Sequence, residues 1–261
     1  MAQIGGGQNR LKADSYSNYK SFHKLPKIAI SLALLLGGTN IALAEESGGF
    51  VGIGVGYGSN SLKTKYSYMG AGNMTDDNTT KAFSCVDYGF MAGYKQFFTS
   101  YLGLRYYGNI NFNHSKINEN KFNLMGSNAD IMLINYSANV DFLGNFVSNK
   151  TLDFGGFIGL GIGGNTWIGQ AIDRLESNLG KIMAKHTMND AKLTSTSIDL
   201  AINVGLRANI TTHHGIELVA RVPIRATKLF TANGMGSGKI EDYEGSIIHT
   251  YSILARYTFS F

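Results

Sequence analysis

Fourteen charged or amide-bearing residues interrupt strands that otherwise read as apolar, and they are the natural candidates for chemistry. They are Asp87, Lys95, Arg105, Asn109, Asn135, Asn139, Asp141, Asp153, Asp199, Asn203, Arg207, Glu217, Arg221 and Arg256. Each alternates with hydrophobic neighbours, so all fall on one face of their strands. The subset Arg105, Asp141, Asp153, Arg207, Glu217, Arg221 and Arg256 suits a hydrogen-bonded ion network, because the planar guanidinium fork matches carboxylate geometry. A charged ion path is the alternative use of the same residues.

Other chemistries find less support. His213 and His214 fall in a short turn, while His114, His186 and His249 fall in longer connectors without metal-ligand spacing. His114 or His249 with Ser246 or Asp242 would be a conceivable hydrolytic set, but nothing in the sequence fixes its geometry. The glycine runs Gly52–Gly58 and Gly159–Gly164 lack the strand–turn–helix context of a dinucleotide loop. No catalytic residue, metal site or cofactor is expected. Cys85 stands alone in the chain, so no intramolecular disulfide forms, and parity turns it inward.

The elements that position these residues are eight strands with period-two alternation. Their apolar rows run through Val51–Tyr57, Val86–Tyr94, Leu102–Phe112, Met132–Phe142, Leu152–Ile162, Ile198–Ile210, Ile216–Ile224 and Tyr251–Phe261. Trp167 is expected near the rim after the fifth. The rows run from seven to thirteen residues, most of them within the roughly nine to eleven that carry a tilted strand across a bilayer. Short links near Phe97–Ser100, Ser148–Lys150 and Thr212–His214 alternate with long ones at Ser61–Ala82, His114–Asn128, Gly164–Thr194 and Arg225–His249. That alternation is the habit of bacterial barrels with short periplasmic turns and long external loops.

The expected fold is therefore an all-β, eight-stranded antiparallel transmembrane β-barrel. A soluble eight-stranded barrel would need an apolar interior, yet here the apolar face opposes Arg, Asp and Asn. An eight-stranded interior is just wide enough for side chains to fill it, which favours a plug over an open pore. The aromatic row Tyr257, Phe259 and Phe261 on the last strand is expected to act as the assembly signal read by the barrel assembly machinery.

Composition agrees. Charged residues make up 16% of the chain, against roughly 25% in soluble domains, and mean hydropathy is only −0.05. Lys20, Lys24 and Lys27, the apolar run Ile28–Leu36 and Ala42-Leu43-Ala44 have the layout of a secretory signal peptide, so residues 1–44 are expected to be a cleaved leader and 45–261 the barrel. The chain has 23 basic and 18 acidic residues; five basic and one acidic lie in 1–44, leaving 18 and 17. Nucleic acid thereby loses its electrostatic support as a partner. Export to the outer membrane of a Gram-negative cell implies contact with outer-membrane lipid and lipopolysaccharide.

Within the third long link, Ile172, Leu175, Leu179, Ile182 and Met183 repeat at helical spacing among charged residues. This amphipathic helix is read as a lid packing on the barrel rim, with contact to a host ligand or partner barrel as the alternative.

The segment Leu152–Trp167 ending in Thr166-Trp167, Gly205-Leu206-Arg207 within Asn203–Asn209, His214-Gly215-Ile216-Glu217-Leu218 and the ending Tyr251–Phe261 together resemble the C-terminal barrel region of Helicobacter outer membrane proteins. The resemblance covers about the last 120 residues. It implies a non-enzymatic surface protein, with adhesion to a host-surface ligand through external loops as one family role and a porin-like channel as the other. The large adhesins of that family carry a disulfide-bonded external domain that has no counterpart here.

Overall fold

A computed structural model describes residues 47–70, 73–117, 125, 128–149, 152–185, 188–210, 213–236 and 239–261. The leader and the signal-peptide expectation lie outside these residues. The strands are β1 (Gly48–Gly70), β2 (Asn73–Phe97), β3 (Leu102–Ile117), β4 (Ala129–Ser148), β5 (Leu152–Ile168), β6 (Met188–Leu193), β7 (Thr196–Ile210), β8 (His214–Pro223), β9 (Thr227–Gly236) and β10 (Lys239–Ser260). One helix, α1 (Gln170–Lys185), follows β5. It is too short and polar to cross a membrane.

Eight strands close a ring in the order β1-β2-β3-β4-β5-β7-β8-β10, with every neighbour antiparallel and β10 returning to β1 from Phe50↔Ser260 outward. Closure removes the edges that would otherwise leave backbone groups unpaired in lipid. Val51, Ile53, Val55, Phe90, Ile158, Leu160, Ile162 and Ile253 point outward and are exposed, while their sequence neighbours are buried or half-buried. This is the eight-stranded transmembrane barrel the alternation implies, with connections of a few residues at the periplasmic end.

The external half differs from the expectation of long loops. β1 and β2 continue as a hairpin to Gly70↔Asn73, and β10 begins at Lys239. β9 pairs with the outer part of β10, and β6 with β9, inside links that read as loops. Outside the membrane neither face meets hydrocarbon, so the hydropathy contrast that reveals a strand fades although its ladder persists. The sheet β2-β1-β10-β9-β6 therefore stands beyond the ring as a five-stranded blade.

The interior also departs from a uniformly hydrophilic centre. Its outer end holds an apolar cluster that includes Leu62, Ile131, Leu133, Trp167, Leu175, Leu229 and Ile247. Below it the lumen holds mostly polar and charged side chains, with smaller apolar groups such as Leu143, Phe157, Val219 and Leu254 among them.

Candidate functional site

The lumen is built in levels. Toward the periplasm, Arg105 on β3 reaches across to both β4 and β8. Its Nε and Nη2 donate to Asp141 Oδ2 at 3.2 and 2.7 Å, and Nη1 donates to Glu217. Its guanidinium lies 4.6 Å from the Phe157 ring centre, 5.1 Å from Tyr107 and 5.6 Å from Phe50. The cation is thus held by two carboxylates and walled by aromatic rings. Arg256 sits opposite Glu217 in the β8–β10 register. Arg207 stacks 5.2 Å from Phe97 and donates to Asn145 Oδ1 at 3.0 Å.

Two of the seven residues grouped by sequence stand apart. Asp153 accepts from Ser148 at 2.6 Å beside the β4–β5 turn. Arg221 belongs to the next level up, where it donates to Asp199 Oδ2 at 2.5 Å and to Asn139, Asn203 and Ser137 at 3.1–3.3 Å. Asp199 also receives Asn135 and Asn165 at 2.9 and 3.1 Å. Parity turns Asp199 inward without naming its partner, because Arg221 on the adjacent strand β8 stands opposite Asn203 and reaches Asp199 four residues off register.

Glycines on β5 make this packing possible. A Cβ at Gly159 would lie 2.0 Å from Asp141 Oδ1, and one at Gly161 would lie 2.3 Å from Asn139 Oδ1. The glycine-rich strand leaves room for the side chains that meet the arginines.

Below the cap, His249 is buried rather than in an external loop. Its Nδ1 is 2.7 Å from Asn60 Oδ1 and its Nε2 is 2.5 Å from Ser252 Oγ. Ser252 donates to Asp87, and Asn113 donates to Asp87 Oδ1 at 2.6 Å and to Cys85 at 2.7 Å. The ladder shifts between Ser59 and Asn60, leaving Thr250 without an opposite residue, and this bulge turns His249 inward. Strict alternation back from Tyr251 gives no hint of it.

His114 lies on the opposite, exposed face of the wall, and Ser246 and Asp242 are not partners of His249. Serine also stands between the carboxylate and the imidazole rather than at the end of the chain. The adjoining void is about 10 Å³, room for one water and no substrate. The cluster is organised to satisfy buried polar groups.

The cap is centred on α1. Ala171, Ile172, Leu175 and Leu179 are buried in the apolar cluster, and the Ile182 side chain lies outside the described residues. Gly169, with φ of +111°, makes the turn into the helix, and its carbonyl accepts from Ile172 N at 2.9 Å. Trp167 is not a lipid-facing rim residue: it is buried beneath the helix, its Nε1 3.3 Å from Thr227 Oγ1. Its odd number puts it on the inner row of β5.

At the opposite end, Tyr257 and Phe261 are exposed on the lipid face, with Phe259 between them. His214 is no bare turn residue, for its Nδ1 is 2.6 Å from Tyr257 Oη and its ring packs 5.4 Å from Phe259.

Among solved structures, the chain is similar to the outer membrane protein OprG from Pseudomonas aeruginosa, at 15% identity and a TM-score of 0.46, covering 84% of this chain and 98% of that one. It is also similar to Ail, the attachment invasion locus protein of Yersinia pestis, at 15% identity and 0.28, covering 81% and 99%. Neisserial surface protein A gives 11% and 0.34, covering 78% and 97%. No curated protein matches. The family model described as Helicobacter outer membrane protein matches residues 89–261, from the middle of β2 to the final aromatic. The chain belongs to the Helicobacter outer membrane protein family.

Proposed function

We propose that the protein is a non-enzymatic, sealed barrel whose external blade and helix cap form a surface for contact outside the cell, including adhesion to a host-surface ligand. The observation that supports this reading is the filled lumen. An apolar cap around Leu175 and Trp167 lies over the Arg221–Asp199 and Arg105–Asp141–Glu217 levels, all with almost fully buried side chains. A closed eight-stranded wall leaves little room beside them.

Planar-bilayer recording of the refolded protein tests the seal, and no stable conductance is expected. A steady conductance that disappears in the Arg105→Ala, Arg221→Ala double variant would replace the plug with a porin-like path. Attachment of bacteria expressing the wild-type or the Gln170–Lys185 deletion variant tests the contact role of the cap. Unchanged attachment would remove α1 from the contact surface.

A further inference from the structure

The face of β1 that meets hydrocarbon continues beyond the membrane, and its charges are sorted by height. Outward from the exposed Tyr57 it carries Ser59, Ser61, Lys63, Lys65 and Ser67. The ladder sets Ile248, Ser246, Glu244 and Asp242 of β10 and Ser84, Ala82, Thr80, Asn78 and Asp76 of β2 beside them. The first carboxylate is therefore Glu244, and Asp76 and Asp242 flank Ser67 one row farther out. Nearer the membrane the same face is neutral or cationic. Lys63 lies between Thr80 and Ser246, Lys228 stands on the far side of Ser246, and Arg225 directly follows the lipid-facing Ile224. The rim at β3 and β4 has no such excess, for Lys116 faces Asp130.

Two ion pairs on this face are already closed. Lys65 lies 3.3 Å from Asp76, and Lys228 lies 3.1 Å from Glu244. Lys63, Ser246 and Arg225 differ: among the described residues their side chains carry no hydrogen bond or ion pair, and both cations are exposed. Two cations and a hydroxyl thus share the membrane-proximal part of the face without a carboxylate of their own.

We infer that this base of the blade docks a phosphate-bearing headgroup of outer-membrane lipid. The argument is charge complementarity joined to depth. Lys63 stands six residues beyond Tyr57, about 20 Å along the strand, and a tilt of about 45° puts it about 14 Å higher. Its flexible stem carries the ammonium back toward the headgroup layer, which Arg225 meets at the lipid boundary. The phosphate takes Arg225 from the membrane side and Lys63 from outside, and the Ser246 hydroxyl donates to it between them. The same anionic layer repels Asp76 and Asp242, so the blade stands away from the membrane rather than lying on it. The occupant belongs to the protein's own membrane, and its docking does not depend on what the outer end of the blade contacts.

The full chain refolded into nanodiscs of equal phosphatidylcholine and phosphatidylglycerol provides the test. Native mass spectrometry counts the lipids that leave with the protein, and heat-dependent gel mobility is the folding control. The wild type is expected to retain phosphatidylglycerol over phosphatidylcholine. Lys63→Gln and Arg225→Gln should each weaken that retention about fivefold, and the double variant about 25-fold. Lys116→Gln should stay within about twofold of wild type. Equal retention of the two lipids by the wild type, unchanged retention in the double variant, or an equal loss in Lys116→Gln and Lys63→Gln would overturn the headgroup site. None of these outcomes bears on the sealed lumen or on attachment to host cells, which conductance and adhesion read separately.

Discussion

His249 and Ser252 lie three residues apart on one strand, yet both face the lumen, with Nε2 and Oγ 2.5 Å apart. The bulge at Thr250 creates this pair, and Ser252 relays the contact to Asp87. Replacing Ser252 with alanine strips a partner from both buried groups. The expected cost is about 1–3 kcal/mol, read as a lower urea midpoint for unfolding in vesicles. Thr250→Ala, on the exposed outer side, should stay within about 0.5 kcal/mol of wild type.

That pair also marks the limit of what the sequence discloses. Within the bilayer, hydrocarbon on one side and a polar lumen on the other stamp a period of two on every strand. The eight-strand count and the inward row, Arg105, Asp141, Arg207, Glu217 and Arg256 included, follow from it directly. Beyond the bilayer the stamp fades, so the blade formed by β9, β6 and the outer β1–β2 hairpin is not visible in the residues. A one-residue bulge reverses parity without any compositional sign, which hides His249. Levels within the lumen are set by strand tilt and reach across the ring, so parity alone could not separate Arg221 from Arg105. α1 was legible because its burial repeats at helical spacing in one continuous segment.

Arg105 depends on two carboxylates, each on a different strand. Glu217→Ala leaves a buried guanidinium with half its compensation, and about 3–5 kcal/mol of barrel stability should be lost. Replacing Arg105 together with one partner (Arg105→Met, Asp141→Leu) removes a cation with one counter-charge and leaves Glu217 to Arg256, which faces it across the β8–β10 ladder. The double variant should lose less stability than Glu217→Ala in the same urea experiment. A double variant weaker than Glu217→Ala would mean that the network stabilises the fold beyond its mutual compensation.

Glycine has opposite meanings on the two faces of the wall. A Cβ at Gly108 meets nothing within 4 Å, whereas at Gly159 it would sit 2.0 Å from Asp141 Oδ1 and 2.4 Å from the Val140 carbonyl. Gly108→Ala should therefore fold as wild type. Gly159→Ala must displace Asp141 from Arg105, and a loss of about 1–3 kcal/mol is expected from overpacking. Equal stability of the two variants would contradict the packing described for β5.

Leu175 is fully buried where α1 meets the apolar cap. Truncation to alanine should weaken that contact by about 2–5 kcal/mol. The closed ring does not depend on the helix, so the barrel should keep its folded gel mobility. The effect should appear as faster hydrogen exchange across Gln170–Lys185 and protease cleavage there, with exchange in β3, β4 and β5 unchanged. Exchange spreading through those strands would make the cap part of the barrel's cooperative core.

At the external tip of β2, Asp76 accepts a hydrogen bond from Ser67 and lies 3.3 Å from Lys65 Nζ. These two contacts, Ser67 first, hold its carboxyl below the ordinary 3.8. A depressed carboxylate pKa favours the folded hairpin at every pH above the ordinary value, and that contribution drains away as pH falls through the lower, folded one. Carboxyl-carbon NMR of the refolded protein should find Asp76 titrating below 3.8. Ser67→Ala should raise the midpoint more than Lys65→Ala does. Because the site is open to solvent, added salt should weaken the Lys65 share and leave the Ser67 share largely intact. A midpoint insensitive to Ser67→Ala would place the hydrogen bond elsewhere and leave the ion pair as the sole anchor of the tip.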